Sequence, residues 1–175
     1  MSADHIVTLE IDTPLGVLTA GAVDAGICLL AFPRRTERER EAVGRRLDAA
    51  AGTGASEHLE QLRRELTAYF DRRLAEFTVP TLTHGTPFQE RVWAALRRIP
   101  YGVTWSYEEL ATQVGAPEGQ RAVGHANGRN PIAIVIPCHR VINKSGKLGG
   151  YGGELWRKQV LLRLESGGQV LDFGA

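Results

Sequence analysis

PIAIVIP (131–137) runs without a break into CHRV (138–141), so an apolar segment ends on a thiol, an imidazole and a guanidinium. A cysteine is chemically useful as its thiolate, which needs a base, a positive neighbour or a helix N-terminus. His139 is adjacent in sequence, yet neighbouring side chains of an extended strand face opposite ways. The pair can cooperate only in a turn or through a bridging water. The imidazole then needs an orienting acid, for which Glu165 is one candidate that spacing alone does not select. Many unpaired cysteines are inert core residues, and Cys28 inside ICLLAF (27–32) reads that way. For Cys138 the two readings, structural and reactive, stay open at this point, with the polar CHR cluster tilting toward reactivity.

The flanks of this stretch are legible. NKSGKLGGYGG (143–153) holds five glycines and reads as a loop whose backbone can approach a ligand, without the spacing of a phosphate-binding loop. ELWRKQVLLRLE (154–165) reads as an amphipathic helix with Leu155, Val160, Leu161 and Leu164 inward. Upstream, TPFQ (86–89) and SYEE (106–109) are capping boxes. The first opens a helix with Phe88, Val92, Leu96 and Ile99 as its buried stripe, stopped by Pro100–Tyr101–Gly102. The second opens a helix ending near Val114 and Gly115, and Ala116–Pro117 starts another that runs to about Asn127. Two short helices joined at a glycine fit a DNA-binding helix-turn-helix or a tightly packed core pair. Arg121 sits there among the small residues Ala122, Gly124 and Ala126.

Before residue 85 the pattern changes. IVTLEI (6–11), VLTAGAV (17–23) and ICLLAF (27–32) read as strands separated by TPLG and DAG turns. RRTERERE (34–41) reads as a solvated face or loop, and AAAGTGAS (49–56) as a linker. Ser56 caps a helix carrying Leu59, Leu62, Leu66, Tyr69 and Phe70. FTVPTLTHG (77–85) is extended and marks a boundary. The expected class is α/β (α+β). Residues 1–84 read as a small sheet-and-helix domain and residues 85–175 as a mostly helical domain.

Composition agrees with a globular chain: 175 residues, 43% hydrophobic and 23% charged. Two cysteines do not make a disulfide framework, and neither cysteines nor histidines show zinc-ligand spacing, so no metal is expected. No secretory leader or transmembrane run is read, which gives the expectation of a cytoplasmic protein, nucleoid-associated if bacterial. Residues 91–165 carry 11 Lys+Arg against 5 Asp+Glu, while the rest of the chain is net acidic. That asymmetry fits a polyanion partner and fits chance scatter equally.

RAVGHANGRNPIAIVIPCHRVINKSGKLGGYGG (121–153) strongly resembles the active-site region of the O6-alkylguanine-DNA alkyltransferases, also called methylated-DNA–protein-cysteine methyltransferases. The shared pattern is RAVG, then an asparagine–proline strand into PCHRV, then a loop of the form G-x-x-x-x-Y-x-G. The likeness extends through TPFQERVW (86–93) and IPYGVTWSYEELA (99–111) to Glu165, with only DTPLG (12–16) familiar earlier. It implies irreversible, stoichiometric transfer of an alkyl group from O6-alkylguanine in double-stranded DNA to Cys138 after base flipping, with O4-alkylthymine left open. On this resemblance His139 deprotonates Cys138 through a water, Glu165 orients His139, Asn130 holds the turn, and Tyr107 donates as guanine leaves. Val141, Tyr151 and Gly152 contact the base by their backbone. Arg121 fills the vacated stack, and the second helix, with Ala122 and Asn127, enters the minor groove. Arg140 braces the site. No cofactor, membrane or obligate protein partner is implied. Gly152 stands where many relatives carry a hydroxyl. The alternative reading is a non-enzymatic alkylated-base binder, in which family members replace the cysteine. A cysteine hydrolase or redox enzyme is a third reading.

Overall fold

The computed structural model describes residues 5–33, 36–47, 50–52 and 56–168. The chain divides into two compact units: Met1–His84 with Pro131–Ala133, and Gly85–Asn130 with Ile134–Ala175. The class is α+β, with a sheet-and-helix first unit and a mostly helical second.

In the first unit β1 (His5–Thr13), β2 (Gly16–Val23) and β3 (Gly26–Ala31) form an antiparallel meander. The TPLG turn is closed by Thr13, whose hydroxyl donates to the Gly16 carbonyl at 2.7 Å. The sheet order is β3-β2-β1-β4, where β4 is Ala50–Gly52. Two readings change here, although the charge run does present a solvated face, with Arg38 and Glu41 exposed. The charge run is a helix, α1 (Thr36–Leu47), because Glu and Arg are good helix formers and Val43 supplies an apolar anchor. Val43 packs into a cluster with Ile6, Val23, Cys28, Leu29 and Ala31. The presumed linker contributes β4 (Ala50–Gly52), parallel to β1; its pairing is purely backbone, so its composition did not announce it. Arg34, Arg35, Ala49 and residues 53–55 lie outside the described residues.

Helix α2 (Glu57–Phe70) starts at Ser56, whose Oγ accepts from the Leu59 N–H, and buries Leu59, Leu62, Leu66 and Tyr69. Its Glu65 accepts from the backbone N–H groups of Thr78 and Val79 and so holds the extended segment that follows. That segment meets β3: the Ile27 N–H donates to the Pro80 carbonyl and the Leu82 N–H to the Ile27 carbonyl, both at 2.8 Å. Further along β3, Leu30 exchanges the same kind of bonds with Pro131 and Ala133. The apolar run is therefore no continuous strand. Its first residues complete a sheet edge, and Ile134 then turns with a φ of 70°.

The second unit opens with α3 (Pro87–Leu96), whose capping box of Thr86 and Gln89 is present as expected. Val92, Leu96 and Ile99 are buried and Phe88 is half-buried. The largest side chain on this face was not anticipated. Trp93 is buried, and its Nε1–H donates to the Ala126 carbonyl at 3.0 Å. Helix α4 (Tyr107–Gln113) begins at the Ser106–Glu109 capping box, and Gly115 ends it with a φ of 74°. Helix α5 (Gln120–Gly128) starts later than expected. Pro117 lies in a turn that closes with the Gly119 N–H on the Ala116 carbonyl. Leu110, Ala111, Val123 and Ala126 are buried in this helix pair.

Helix α6 (Leu155–Glu165) departs most from its reading. Leu155 and Val160 are exposed and Leu164 is half-buried, whereas Lys158, Leu161, Leu162 and Glu165 are buried. The inward positions keep helical spacing, i, i+3, i+4 and i+7, but two of the four are charged. Among the described residues no helix is long and apolar enough to cross a membrane.

Trp93 joins α3 to α5 by packing and by a hydrogen bond. Trp93→Ala is expected to destabilise the chain by about 3–5 kcal/mol, read from urea unfolding midpoints.

Candidate active site

The strand that approaches Cys138 is bent by its own sequence. Pro137 has φ −82° and ψ 62°, and the Cys138 N–H donates to the Ile136 carbonyl at 2.8 Å. That is an inverse γ-turn, and the proline ring holds φ near the value it needs. One turn of 3-10 helix, Cys138–Arg140, follows directly, and β6 (Val141–Ile142) pairs in parallel with β5 (Trp105–Ser106). Cys138 and His139 therefore lie in a turn, the arrangement that adjacent residues need if they are to cooperate.

Two asparagines hold this turn from outside. Asn130 donates from Nδ2 to the Ile136 carbonyl at 2.8 Å, and Asn127 to the Cys138 carbonyl at 3.4 Å. Both are buried. Asn127, expected as a DNA or substrate contact, instead faces inward. Its side chain also lies beside the Tyr107 hydroxyl and opposes part of the rise that burial causes there.

The three polar residues are buried, and each is answered. His139 is fully buried, with Nε2 at 2.8 Å from Glu165 Oε1. Arg140 forks onto the same carboxylate, Nε to Oε2 at 2.8 Å and Nη2 to Oε1 at 2.9 Å, and its Nη1 donates to the Ile99 carbonyl. Such a bidentate pair is strong and directional. Burial raises the Glu165 carboxyl, but its charged and hydrogen-bonded neighbours outweigh burial and hold it well below the usual carboxylate range. Burial pushes His139 below its ordinary value; Glu165 opposes this, while Arg140 and Lys158 add to it. The imidazole is then neutral at neutral pH, and its hydrogen bond together with the Arg140 fork keeps Glu165 ionised. A neutral ring donating from Nε2 to Glu165 leaves Nδ1 as an acceptor. Nδ1 is buried without a hydrogen-bond partner in the protein. The site thus presents a base aimed by an acid, beside a thiol.

Tyr107 is half-buried at the start of α4 and lies against Gly124, where an added Cβ would meet its ring at 3.6 Å. Burial and the nearby Cys138 raise its hydroxyl above the ordinary value, so it remains a proton donor. The glycine loop closes on the same ring. Gly149 has a φ of 69°, and a Cβ there would stand 3.2 Å from Tyr107 Cε2. Tyr151 is half-buried and Gly152 exposed in this loop. Val141 is buried, and its carbonyl accepts from Lys158 Nζ at 2.6 Å. Arg121 and Ala122 are exposed on α5, together with His125 and Arg129. Cys28, by contrast, is pushed up to about 12 by burial and is an inert core thiol.

Sequence reasoning missed Lys158. A pattern of inward positions that ignored residue polarity, 158, 161, 162 and 165, was the signal that would have found it. Among the described residues no group of three or more His, Cys, Asp or Glu could hold a metal ion.

Residues 7–83 match the 6-O-methylguanine DNA methyltransferase ribonuclease-like domain, and residues 87–167 match the DNA binding domain of the same family. The chain belongs to the 6-O-methylguanine DNA methyltransferase family. A methylated-DNA–protein-cysteine methyltransferase of Mycolicibacterium paratuberculosis is 50% identical over 155 residues, which is 89% of each chain. The Mycobacterium tuberculosis O6-methylguanine methyltransferase has a similar crystal structure, with a TM-score of 0.78 at 45% identity, covering 94% of this chain and 93% of that one. A structure of the M. tuberculosis protein in complex with DNA matches equally well, with a TM-score of 0.78 at 45% identity over 93% of each chain.

Arg140→Met leaves the Glu165 charge buried beside His139 alone. It is expected to cost about 3–5 kcal/mol, while adding Glu165→Leu recovers part of that loss, both read by urea unfolding. Acid sensitivity follows from His139. Its folded value lies below its unfolded one, so its contribution is complete above about pH 6.5 and is lost as pH falls through the folded value. There the unfolded chain takes up a proton that the folded chain resists. The urea midpoint should drop between pH 7 and pH 5, and His139→Gln should flatten that drop.

Proposed function

We propose that the chain repairs O6-methylguanine in DNA as a methylated-DNA–protein-cysteine methyltransferase, with Cys138 as the acceptor. The observation that carries this reading is the buried Glu165–His139 pair, whose outward nitrogen has no protein partner and lies one residue from the thiol. The thiol proton passes to His139 Nδ1 through a water. Glu165 steadies the imidazolium that forms, and Arg140 keeps Glu165 ionised for that purpose. The Cys138 sulfur then bonds to the alkyl carbon as the carbon–O6 bond breaks. The electron pair goes to the base, which takes a proton from the side of Tyr107 and leaves as guanine.

A target inside a duplex is out of reach of a thiol that is only 6% exposed, so the nucleotide is flipped into the site. The exposed face of α5 suits the minor groove of double-stranded DNA. Arg121 fills the stack and Ala122 permits close approach. The DNA-bound relative supports a DNA partner. Backbone from the glycine loop, Tyr151 and Gly152 included, borders the base, and with Gly152 in place of a hydroxyl residue any contact to O6 there comes from backbone. Val141 contributes through the strand that Lys158 holds. Asn127 acts from behind, on the turn and on Tyr107, and does not touch DNA. The thioether product has no route back to a thiol, so each molecule acts once. A cytoplasmic location, nucleoid-associated in a bacterial source, goes with this function.

The test is intact mass after mixing the protein with an oligonucleotide carrying O6-methylguanine. One methyl group per molecule, mapped to Cys138 and absent in Cys138→Ala, is the expected result. Tight binding to the modified duplex without mass gain would replace this reading with that of a lesion binder.

A further inference from the structure

Lys158 is fully buried, and no step of the transfer uses it. Its Nζ donates to the carbonyls of Val141 and Leu148, each at 2.6 Å, and reaches the Gly150 carbonyl at 3.5 Å. An ammonium has three donors and no acceptor, and here all three point at backbone carbonyls. One belongs to β6, directly after the Cys138–Arg140 turn. The other two belong to the glycine loop that closes on Tyr107. Within that loop the Asn143 N–H donates to the Lys147 carbonyl and the Gly146 N–H to the Asn143 carbonyl, both ahead of Leu148 and Gly150. Gly146 and Gly149 sit at positive φ, and a Cβ at Gly146 or Gly150 would meet nothing within 4 Å. Glycine-rich backbone loses much entropy on ordering, so a clamp from outside is needed to keep one conformation.

The same cation bears on the chemistry. Lys158 interacts electrostatically with Cys138 and with His139, the titratable groups that face it from the 3-10 turn, while β6 and the loop meet it with carbonyls. Burial brings the ammonium down to about 8, so it is still largely charged at neutral pH. A buried positive charge near a thiol favours the thiolate, and near an imidazole it favours the neutral base. Both are the forms that the proposed transfer requires.

We propose that Lys158 is a positioning residue: its ammonium clips the glycine loop (143–153) to the strand that follows Cys138, and sets a positive charge against the thiol. The clip rests on the reading of Cys138 as the acceptor only for its role in transfer. Its effects on the loop and on thiol reactivity stand by themselves.

The experiment compares the whole chain with Lys158→Met, which keeps length and apolar bulk and loses the donors and the charge. Three readouts are taken: amide hydrogen exchange of residues 143–153, the pH profile of Cys138 alkylation by iodoacetamide, and methyl transfer from the O6-methylguanine oligonucleotide. The expected result is exchange in the loop faster by about 10-fold or more, an iodoacetamide profile moved to higher pH, and transfer slowed by about 100-fold. Loss of loop packing alone would not move the thiol profile. A folded Lys158→Met chain with unchanged loop exchange and an unchanged thiol profile overturns the proposal. If the unaltered chain does not transfer methyl while exchange and thiol profile still depend on Lys158, the function reading fails and the clip stands. Should Lys158→Met not fold, the Lys158 Nζ resonance of the unaltered chain decides by NMR. A slowly exchanging ammonium that shifts when Cys138 is carboxamidomethylated supports the clip, and a solvent-averaged one that does not respond overturns it.

Discussion

Everything at the site is arranged around one carboxylate. Glu165 accepts from His139 and takes the Arg140 fork, and it can do so buried because Arg140 answers its charge. Removing two ions from water is costly, and their attraction repays this only when the remaining donors and acceptors are satisfied. Here Arg140 also donates to the Ile99 carbonyl in the turn that follows α3, so the pair fixes three parts of the second unit together. His139 is oriented as a result, and the position of Cys138 follows from the turn they share. The geometry of the candidate site is thus a by-product of satisfying a buried ion pair.

What the sequence made legible was local. The capping boxes of α3 and α4 involve residues three apart, so the segment itself carries all the information. The meander β1–β2–β3 was legible for the same reason: alternation and turn residues are short-range signals. What stayed hidden depended on partners far away in the chain. The charged segment 36–47 is a helix because Val43 found a cluster built from strands, and Ala50–Gly52 is a strand because β1 had a free edge.

The site divides in the same way. Cys138, His139 and Glu165 were named from chemistry and resemblance, and the geometry brings them together with Tyr107, Asn130 and Asn127. Asn127 was read as a substrate or DNA contact through the resemblance, and the fold buries it on α5 against the Cys138 carbonyl. Lys158 escaped because sorting residues by polarity puts every lysine outside. A buried ammonium is recognisable only once the carbonyls that surround it are known, and those come from segments 8 to 17 residues away.

Helix α6 carries Lys158 and Glu165 on one face, seven residues apart. The first grips the loop and β6, and the second grips the turn that holds the thiol. Seven residues are close to two full turns, so both side chains point the same way. The helix therefore works as a gauge of fixed length between the two halves of the site. Its outer surface tolerates exchange of side chains freely, since Leu155, Trp156 and Val160 already stand in solvent. Its length does not: inserting or deleting a single residue between the two charges would swing one of them by about 100° and leave it buried without its partners. The spacing of the two charges thus constrains this segment more tightly than its apolar pattern does.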